Sequence, residues 1–147
     1  VGSMVRLIRA CVPGMKERGW GRLIQLSSVS VDTPLSVIPD YQAAKAAIRS
    51  LTRSLALALA NTGITANSIS PGLTLSHGPE AWIKQIAADQ GWGEDWETIR
   101  ARAEKELTTN FVGRIGEPAD IAHAVAFLAD PRAAFVNAID ICVDGGH

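Results

Sequence analysis

Three residues have the types and the spacing needed to move a proton. Ser28 precedes Tyr41 by thirteen residues, and Lys45 follows Tyr41 by four. A phenol titrates at about 10, too high for an efficient proton carrier at neutral pH, and a nearby cation favours the phenolate. We therefore expect Tyr41 to act as general acid and base beside Lys45, with Ser28 holding a substrate oxygen by a hydrogen bond.

The elements that must position these residues are a strand and a helix. A β-type apolar run over 22–27 ends just before Ser28, and an alanine- and leucine-rich helix is predicted over 40–61. Residues four apart on a helix share a face, so Tyr41 and Lys45 can point into one cleft. Ser28 would reach that cleft from the end of the strand.

Two further patterns follow along the chain. A strand predicted over 64–70 leads into Pro71-Gly72 and a polar loop, although Pro-Gly by itself is an ordinary turn. A helix predicted over 117–129 has a proline in its first turn and precedes a strand predicted over 138–143, which ends in Val-Asp-Gly-Gly. The chain thus contains three predicted strands and three main helices, the remaining helix lying over 4–18.

The order of these motifs resembles the short-chain dehydrogenase/reductase family, and among its members those like 3-oxoacyl-acyl-carrier-protein reductase. The motifs are Ser28 followed by Tyr-x-x-x-Lys, the Pro71-Gly72 loop, and the Val-Asp-Gly-Gly end of the last strand, and they span essentially all 147 residues. The resemblance implies an NAD(P)-dependent oxidoreductase that interconverts an alcohol and a ketone or aldehyde by hydride transfer. The hydride comes from a nicotinamide, because no side chain can supply it.

The resemblance also implies a set of site residues. Ser28, Tyr41 and Lys45 are the implied catalytic residues. Those implied to bind the cofactor are Tyr41, Lys45, Pro71, Gly72, Thr74 and Ser76. Thr74 and Ser76 match the family segment that holds the nicotinamide carboxamide, with Ser76 standing where threonine is usual, and Gly72 is expected to let the chain approach the ring closely. NAD and NADP both remain open as the cofactor.

The family fold is a doubly wound parallel-sheet α/β Rossmann domain, and we expect residues 1–147 to be its C-terminal portion. The chain has no Gly-rich turn between a first strand and a helix, which is where such a fold binds the pyrophosphate. At about 30 residues per βαβ unit, roughly 100 residues with four strands of the N-terminal dinucleotide-binding half are therefore expected to be absent from this chain.

The stretch from about 77 to 112 differs from the rest of the chain and is predicted to be a substrate lid of two short helices. It contains Trp82, Trp92 and Trp96 among charged residues. These tryptophans either form an apolar wall for the substrate or only dock the lid, and the sequence favours neither. His77, beside Ser76, is a weaker candidate for a substrate contact.

Composition excludes several other classes. The chain is 47% hydrophobic and 20% charged with a net charge of −1, and its basic residues form no stripe, so we expect no nucleic-acid partner. No apolar segment is long enough to span a membrane, and a cytoplasmic location is expected. Cys11 and Cys142 lack metal-ligand spacing and are expected to be buried thiols in a reducing compartment, so no metal site is predicted.

Two functions remain as alternatives to one another. The first is the oxidoreductase acting on a small carbonyl or alcohol. The second is a non-catalytic truncated remnant or oligomerisation module that lacks cofactor binding. The resemblance implies a homodimer or homotetramer in which the apolar helix over 40–61 takes part, and we expect that helix to be buried all round. A serine hydrolase using Ser28 is disfavoured, because no Gly-x-Ser-x-Gly turn surrounds it and no histidine is placed to activate it.

Overall fold

The computed structural model describes residues 1–33 and 35–146, within which three strands and five α-helices form. The strands are β1 (Gly21–Leu26), β2 (Ile64–Pro71) and β3 (Asp140–Val143). The helices are α1 (Gly2–Glu17), α2 (Pro39–Ala58), α3 (His77–Gln90), α4 (Trp96–Glu106) and α5 (Pro118–Ala129). The predicted α/β class and the order of elements are confirmed. Pro34 and His147, which belong to the predicted domain, lie outside the described residues.

The sheet has the strand order β1-β2-β3, and both pairs are parallel. Leu26 at the end of β1 lies opposite Ile69, and Pro71 at the end of β2 lies opposite Val143. The carboxyl ends of all three strands therefore meet at one edge, which is where open α/β sheets bind ligands. Every predicted site residue follows β1 or β2 at this edge.

The core lies on both faces of the central strand. β2 is buried from Ile64 to Ser70, and because successive residues point to opposite faces, both faces of the sheet are covered there. One face packs against α1 and α2, and α5 contacts all three strands. The cluster beneath α1 and α2 consists of Ile8, Leu23, Ala56, Leu59, Ile64 and Ala66.

The helix that contains Tyr41 is not buried all round, contrary to the prediction. Within α2 the buried residues are Thr52 and Ala56, and Leu57 is 80% exposed. The helix also ends at Ala58 rather than at residue 61. The reason is that α2 packs on the sheet through one side, which leaves the alanines of its opposite side in solvent.

The connection from α2 to β2 passes very close to the connection from α1 to β1. A Cβ built on Gly63 would lie 1.9 Å from the carbonyl oxygen of Gly19, and Gly63 has a φ of +75°. Only glycine tolerates both the close approach and this backbone conformation without strain. Gly63 is thus required by a contact between two turns.

The last strand begins at Asp140 rather than at the predicted residue 138. Ala138 has a φ of +61°, in the left-handed region, and its N–H donates to the carbonyl oxygen of Ala66 at 3.0 Å. An alanine in this conformation brings its Cβ too close to the neighbouring carbonyl oxygen and cannot continue an extended strand. The chain therefore turns at Ala138 before it pairs with β2.

Both cysteines are exposed, which corrects the prediction that they are buried. Cys11 lies on α1, whose only buried residue is Ile8. Cys142 lies on β3, which has a neighbouring strand on one side among the described residues. None of the helices in the described ranges is long and apolar enough to cross a membrane.

Candidate active site

Ser28 begins the loop that leaves the sheet after β1. It caps the one-turn 3₁₀ helix Val29–Val31, and its Oγ accepts hydrogen bonds from the N–H of Ser30 at 3.2 Å and from the hydroxyl of Ser30 at 2.9 Å. A serine hydroxyl that accepts two bonds still carries one hydrogen to donate. Within residues 1–33 and 35–146 that hydrogen has no acceptor, so Ser28 can donate it to a bound oxygen.

Lys45 is tied to the end of β1 through both its side chain and its backbone. Its Nζ donates to the carbonyl oxygen of Leu26 at 2.8 Å, and the hydroxyl of Ser27 donates to the carbonyl oxygen of Lys45 at 3.0 Å. An ammonium has three N–H donors, so two remain for a ligand. The double attachment fixes the second turn of α2 beside the loop that contains Ser28.

Tyr41 lies one helical turn before Lys45, in the first turn of α2. The Nζ of Lys45 is 5.4 Å from the centroid of the Tyr41 ring, within the range of a cation–π interaction. Tyr41 is 44% exposed, and its hydroxyl makes no hydrogen bond to the described part of the chain. The phenol therefore faces open space next to a fixed cation.

The loop after β2 is held against the end of β3. The N–H of Gly72 donates to the carbonyl oxygen of Val143 at 3.0 Å, and a Cβ on Gly72 would lie 2.8 Å from the Cα of Asp144. The hydroxyl of Thr74 donates to the carbonyl oxygen of Gly72 at 3.1 Å. Gly72 therefore meets the backbone of β3 closely, a reason for glycine that differs from the approach to a ring expected from the sequence.

Ser76 ends this loop and precedes α3. It is the N-cap residue of α3, yet its side chain makes no capping hydrogen bond, and it is exposed. Two backbone contacts fix the loop before it, because Gly116 accepts from the N–H of Leu75 at 2.7 Å and pairs with Thr74 in an isolated β-bridge. The Ser76 hydroxyl is thus positioned without being used by the helix.

The structure brings the two groups of predicted residues to one edge of the sheet. The first group follows the carboxyl end of β1, and the second follows the carboxyl end of the adjacent strand β2. The first group comprises Ser28, Tyr41 and Lys45. The second comprises Pro71, Gly72, Thr74 and Ser76. His77 is the first residue of α3 and is exposed.

The predicted lid forms the two helices α3 and α4, which have a small core of their own. Trp92 is 5% exposed in this core, and the guanidinium of Arg102 lies 5.5 Å from the centroid of its ring. Trp96 packs against the same core, whereas Trp82 is 50% exposed. Two of the three tryptophans therefore pack in the core beside these two helices, and Trp82 is the one with an exposed ring. The core consists of Ile83, Ala87, Trp92, Ile99, Ala103 and Ile115.

A partly buried ionic network next to the site was not found from the sequence. The guanidinium of Arg49 lies 3.2 Å from a carboxylate oxygen of Asp140 and 2.6 Å from one of Asp32. Asp140 also accepts hydrogen bonds from the hydroxyls of Ser68 and Ser70, the latter at 2.8 Å. Two features of the sequence could have indicated the contacts of Asp140. Asp140 lies in an otherwise apolar strand, and Ser68 and Ser70 lie at alternate positions of another strand.

This network raises the pKa of Arg49. Burial by itself would lower the pKa of Arg49, but the hydrogen bond to Asp32 and the negative charges of Asp140 and Asp32 raise it above its usual value. The network therefore favours the charged form of Arg49.

A second ion pair lies beside the Thr74 loop. Arg114 donates to both carboxylate oxygens of Asp120, at 2.7 and 2.9 Å, and the N–H of Glu117 donates to Asp120 at 2.7 Å. The hydrogen bonds from Arg114 and then from Glu117 lower the pKa of Asp120 to about 2. Arg114 and Asp120 line a cavity of about 210 Å³ together with Leu73.

Known proteins of similar sequence decide the family. A profile of the family described as Enoyl-(Acyl carrier protein) reductase, which comprises short-chain dehydrogenases and reductases, matches residues 1–147. The chain belongs to the short-chain dehydrogenase/reductase family. The resemblance drawn from its motifs is thereby confirmed.

Relatives within the short-chain dehydrogenase/reductase family carry different activities in their names. The chain is 32% identical over 148 residues to the 3-oxoacyl-[acyl-carrier-protein] reductase FabG of Vibrio cholerae, covering 98% of this chain and 52% of that protein. It is 31% identical over 146 residues to the D-beta-hydroxybutyrate dehydrogenase of Rhizobium meliloti, covering 99% and 55%. The chain thus spans about half the length of the curated relatives it matches.

A solved structure in this family shares the fold. The L-sorbose reductase of Gluconobacter frateurii, complexed with NADPH and L-sorbose, superimposes with a TM-score of 0.87 at 32% identity, covering 99% of this chain and 54% of that one. As a member of this family the chain has the parallel α/β architecture of its oxidoreductases. No group of three or more His, Cys, Asp or Glu side chains in the described ranges is placed to hold a metal ion.

Proposed function

We propose that this chain carries the proton-transfer side of the active site of an NAD(P)-dependent oxidoreductase that interconverts a small alcohol with a ketone or aldehyde. The observation that carries the proposal is the position of Lys45. Its ammonium is fixed on the carbonyl oxygen of Leu26 and lies beside the exposed ring of Tyr41, with the loop of Ser28 next to them. A phenol next to a fixed cation is suited to exchanging a proton with a substrate oxygen.

Each of the three residues has one role in this proposal. In the reductive direction the Tyr41 hydroxyl gives its proton to the carbonyl oxygen of the substrate, and in the oxidative direction the phenolate removes the proton of the alcohol. Lys45 stabilises the phenolate by its charge. The free O–H of Ser28 donates to the same substrate oxygen and stabilises the negative charge that develops there.

The described residues fit a nicotinamide cofactor on this side. Lys45 has two N–H donors left for ribose hydroxyls, and the Ser76 hydroxyl is not used in capping α3, so it can bind a carboxamide. Pro71 and Gly72 hold the start of the loop against β3, and the hydroxyl of Thr74 donates to the carbonyl oxygen of Gly72. When bound, the nicotinamide supplies or accepts the hydride, and either NAD or NADP is compatible with these residues.

The pyrophosphate-binding half of the site lies, in this proposal, on a segment outside these residues. The chain spans about half of each relative it matches. Within the described part of the chain β1 has β2 as its only neighbouring strand, and a groove of about 460 Å³ lies between β1 and α1. Leu7 and Leu26, which line this groove, are 66% and 48% exposed. An apolar strand edge of this kind is suited to pairing with another strand.

The proposed assembly is a homodimer or homotetramer formed through α2. The proposed location of the protein is the cytoplasm. Ala43, Ala44, Ala46 and Ala47 are exposed on this helix, and so is Leu57. Small side chains allow two helices to approach closely, and burying Leu57 in an interface would remove its apolar surface from water.

The experiment that tests the function uses Tyr41→Phe in a polypeptide that binds NAD(P)H. We expect the variant to fold as the parent does and to lose about 10²–10⁴-fold in kcat, measured as NAD(P)H oxidation with a 3-oxoacyl thioester, acetoacetate and L-sorbose as probes. Retained turnover would remove Tyr41 from the mechanism. Quenching of the tryptophan fluorescence of residues 1–147 alone by NADH or NADPH then tests the alternative of a non-catalytic module, which predicts no saturable quenching.

A further inference from the structure

One guanidinium joins three elements that surround the candidate site. Arg49 of α2 pairs with Asp140 at the start of β3 and with Asp32 in the loop that follows Ser28. The Arg49 side chain is 22% exposed, so most of it is withdrawn from solvent. A planar guanidinium presents donors on two sides and can bridge two carboxylates at once, which an ammonium on a single flexible stem does less well.

Asp140 is the rigid end of this bridge. Its side chain is 8% exposed and accepts hydrogen bonds from the hydroxyls of Ser68 and Ser70 on β2 in addition to the pair with Arg49. A buried carboxylate that lies on one strand and is hydrogen-bonded to the neighbouring strand has little freedom to follow the helix. The helix must instead follow the carboxylate, because separating a buried ion pair leaves an uncompensated charge.

The position of Arg49 on α2 connects this anchor to the proposed proton carrier. Tyr41, Lys45 and Arg49 are spaced by four residues and lie along one side of the helix. At about 1.5 Å of rise per residue, Lys45 lies roughly 6 Å and Tyr41 roughly 12 Å from the anchored residue along the axis. Fixing Arg49 therefore fixes the rotation of the helix that points Tyr41 and Lys45 toward the strand ends.

The second arm of Arg49 reaches the loop of Ser28. Asp32 is the C-cap residue of the one-turn helix Val29–Val31, and Ser28 is the N-cap residue of the same turn. Asp32 is 59% exposed, so its pair with Arg49 alone contributes little to stability. Its effect is geometric, because it joins the far end of the Ser28 turn to the residue that sets the rotation of α2.

We propose that Arg49 is a positioning residue that holds Ser28 and the Tyr41–Lys45 pair in one arrangement, with Asp140 as its fixed anchor. This inference rests on the proposed function for its catalytic consequence, but its geometric content stands without turnover. In this proposal Arg49 binds Asp140 and Asp32 rather than a ligand. It acts through the rotation of α2 and through the loop that ends at Asp32.

The first test uses the fact that Tyr41 is the only tyrosine of the chain. With ring-¹³C-labelled tyrosine, the protein gives one set of ring signals, and these report the surroundings of Tyr41 directly. We expect Arg49→Leu to move these signals by more than their linewidth in the folded protein. The matched control is Arg53→Leu, since Arg53 is exposed on the same helix and makes no side-chain hydrogen bond or ion pair to the described residues.

The outcomes separate positioning from general support of the fold. An Arg49→Leu variant that melts at a lower temperature while its Tyr41 signals stay where they are would overturn the proposal. If Arg49→Leu does not fold, Arg49→Lys replaces it, because a lysine keeps one ion pair and cannot bridge both carboxylates. Tyr41 signals that move by more than their linewidth in Arg49→Lys support the proposal, and unchanged Tyr41 signals in a folded Arg49→Lys variant overturn it.

The second test separates the two arms. Asp32→Asn breaks the arm to the Ser28 loop, so we expect faster amide hydrogen exchange at Ser30, whose N–H donates to Ser28, with the Tyr41 signals unchanged. Asp140→Asn weakens the anchor and is expected to move the Tyr41 signals. If Asp32→Asn and Asp140→Asn changed the exchange at Ser30 and the Tyr41 signals equally, the two arms of Arg49 would not act separately.

Kinetics then distinguishes this inference from the proposed function. In a protein that turns over, Arg49→Leu is expected to lower kcat by about 10²-fold, the cost of a displacement of about 1 Å, with little change in KM. Arg53→Leu is expected to retain the parent rate. If Arg49→Leu moves the Tyr41 signals but the parent protein shows no turnover, the positioning role stands and the proposed function is removed. Turnover that survives Arg49→Leu at the parent rate would remove the positioning role alone.

Discussion

The ammonium of Lys45 lies 2.8 Å from the carbonyl oxygen of Leu26, the last residue of β1. This bond joins a helix side chain to the strand end from which the Ser28 loop departs. It also places a positive charge 5.4 Å from the centroid of the Tyr41 ring. The same contact therefore organises the backbone at the site and provides the charge that the proposed chemistry requires.

Replacing Lys45 tests its two contributions, the hydrogen bond to Leu26 and the positive charge beside Tyr41. Lys45→Met keeps the length of the side chain and removes both the charge and the donor to Leu26. We expect kcat/KM to fall by about 10²–10⁴-fold, because the positive charge beside the proposed proton carrier Tyr41 is lost. Stability should fall by no more than about 1 kcal/mol, since this contact is partly exposed to solvent.

Steady-state kinetics with NAD(P)H and urea unfolding check these two expectations. Ser27→Ala is the matched control, because it removes the hydrogen bond to the Lys45 backbone and keeps the charge. A loss of activity as large in Ser27→Ala as in Lys45→Met would show that backbone support, not the charge, is the important contribution of this contact.

Ala138→Gly is expected to stabilise the protein. Ala138 has a φ of +61°, and the left-handed conformation costs an alanine about 1–2 kcal/mol. The added freedom of glycine in the unfolded chain offsets about 0.4–1 kcal/mol of the relief. The net gain should be about 0.5–1 kcal/mol in urea unfolding.

Asn61→Gly serves as the comparison for that substitution. Asn61 has a φ of +63°, but asparagine tolerates this region better than alanine does. The gain at Asn61 should therefore be smaller than the gain at Ala138. A destabilised Ala138→Gly variant would show that the turn before β3 is not strained.

Trp92 and Trp82 are expected to differ in their effect on stability. Trp92→Ala removes a large buried ring from the core beside α3 and α4 and should cost about 3–5 kcal/mol, or unfold these two helices separately. Trp82→Ala removes a half-exposed ring and should cost about 0.5 kcal/mol or less. Urea unfolding followed by circular dichroism measures both, and a costly Trp82→Ala would mean that this ring, too, is part of that core.

The pair of Arg114 and Asp120 predicts a specific pH dependence. Folding lowers the pKa of Asp120 from 3.8 to about 2, through hydrogen bonds from Arg114 and Glu117. A depressed pKa contributes stability that is fully present above the unfolded value and is lost as the pH falls through the folded one. Asp120→Asn should therefore lower Tm at neutral pH.

The difference in Tm between Asp120→Asn and the parent should shrink as the pH falls from 4 toward 2, the interval between the two pKa values. Arg114→Met should show the same narrowing, because it removes the other member of the pair. Thermal melts at several pH values check this, and a Tm difference that stays constant down to pH 2 would contradict the role of the pair.

The sequence was sufficient for the features that depend on neighbours along the chain. The spacing of Tyr41 and Lys45 predicts a shared helix face, and the turn after residue 70 predicts the loop that carries Thr74 and Ser76. Both predictions rely on the periodicity of one helix or strand, which short-range sterics and hydrogen bonds determine. The order of strands and helices followed from the same local patterns, and the family followed from the resemblance of the motifs to those of a known family.

Tertiary structure alone decided the contacts between distant segments. No local pattern indicates that Arg49 bridges Asp140 and Asp32, or that Gly63 must be glycine because it meets Gly19. The exposure of Cys11 and Cys142 depends in the same way on which side of α1 packs and which strand lies at the edge of the sheet. Such contacts form only when packing brings distant residues together, so the chemistry of the site is readable in the chain, while the network that holds it in place is a property of the folded protein.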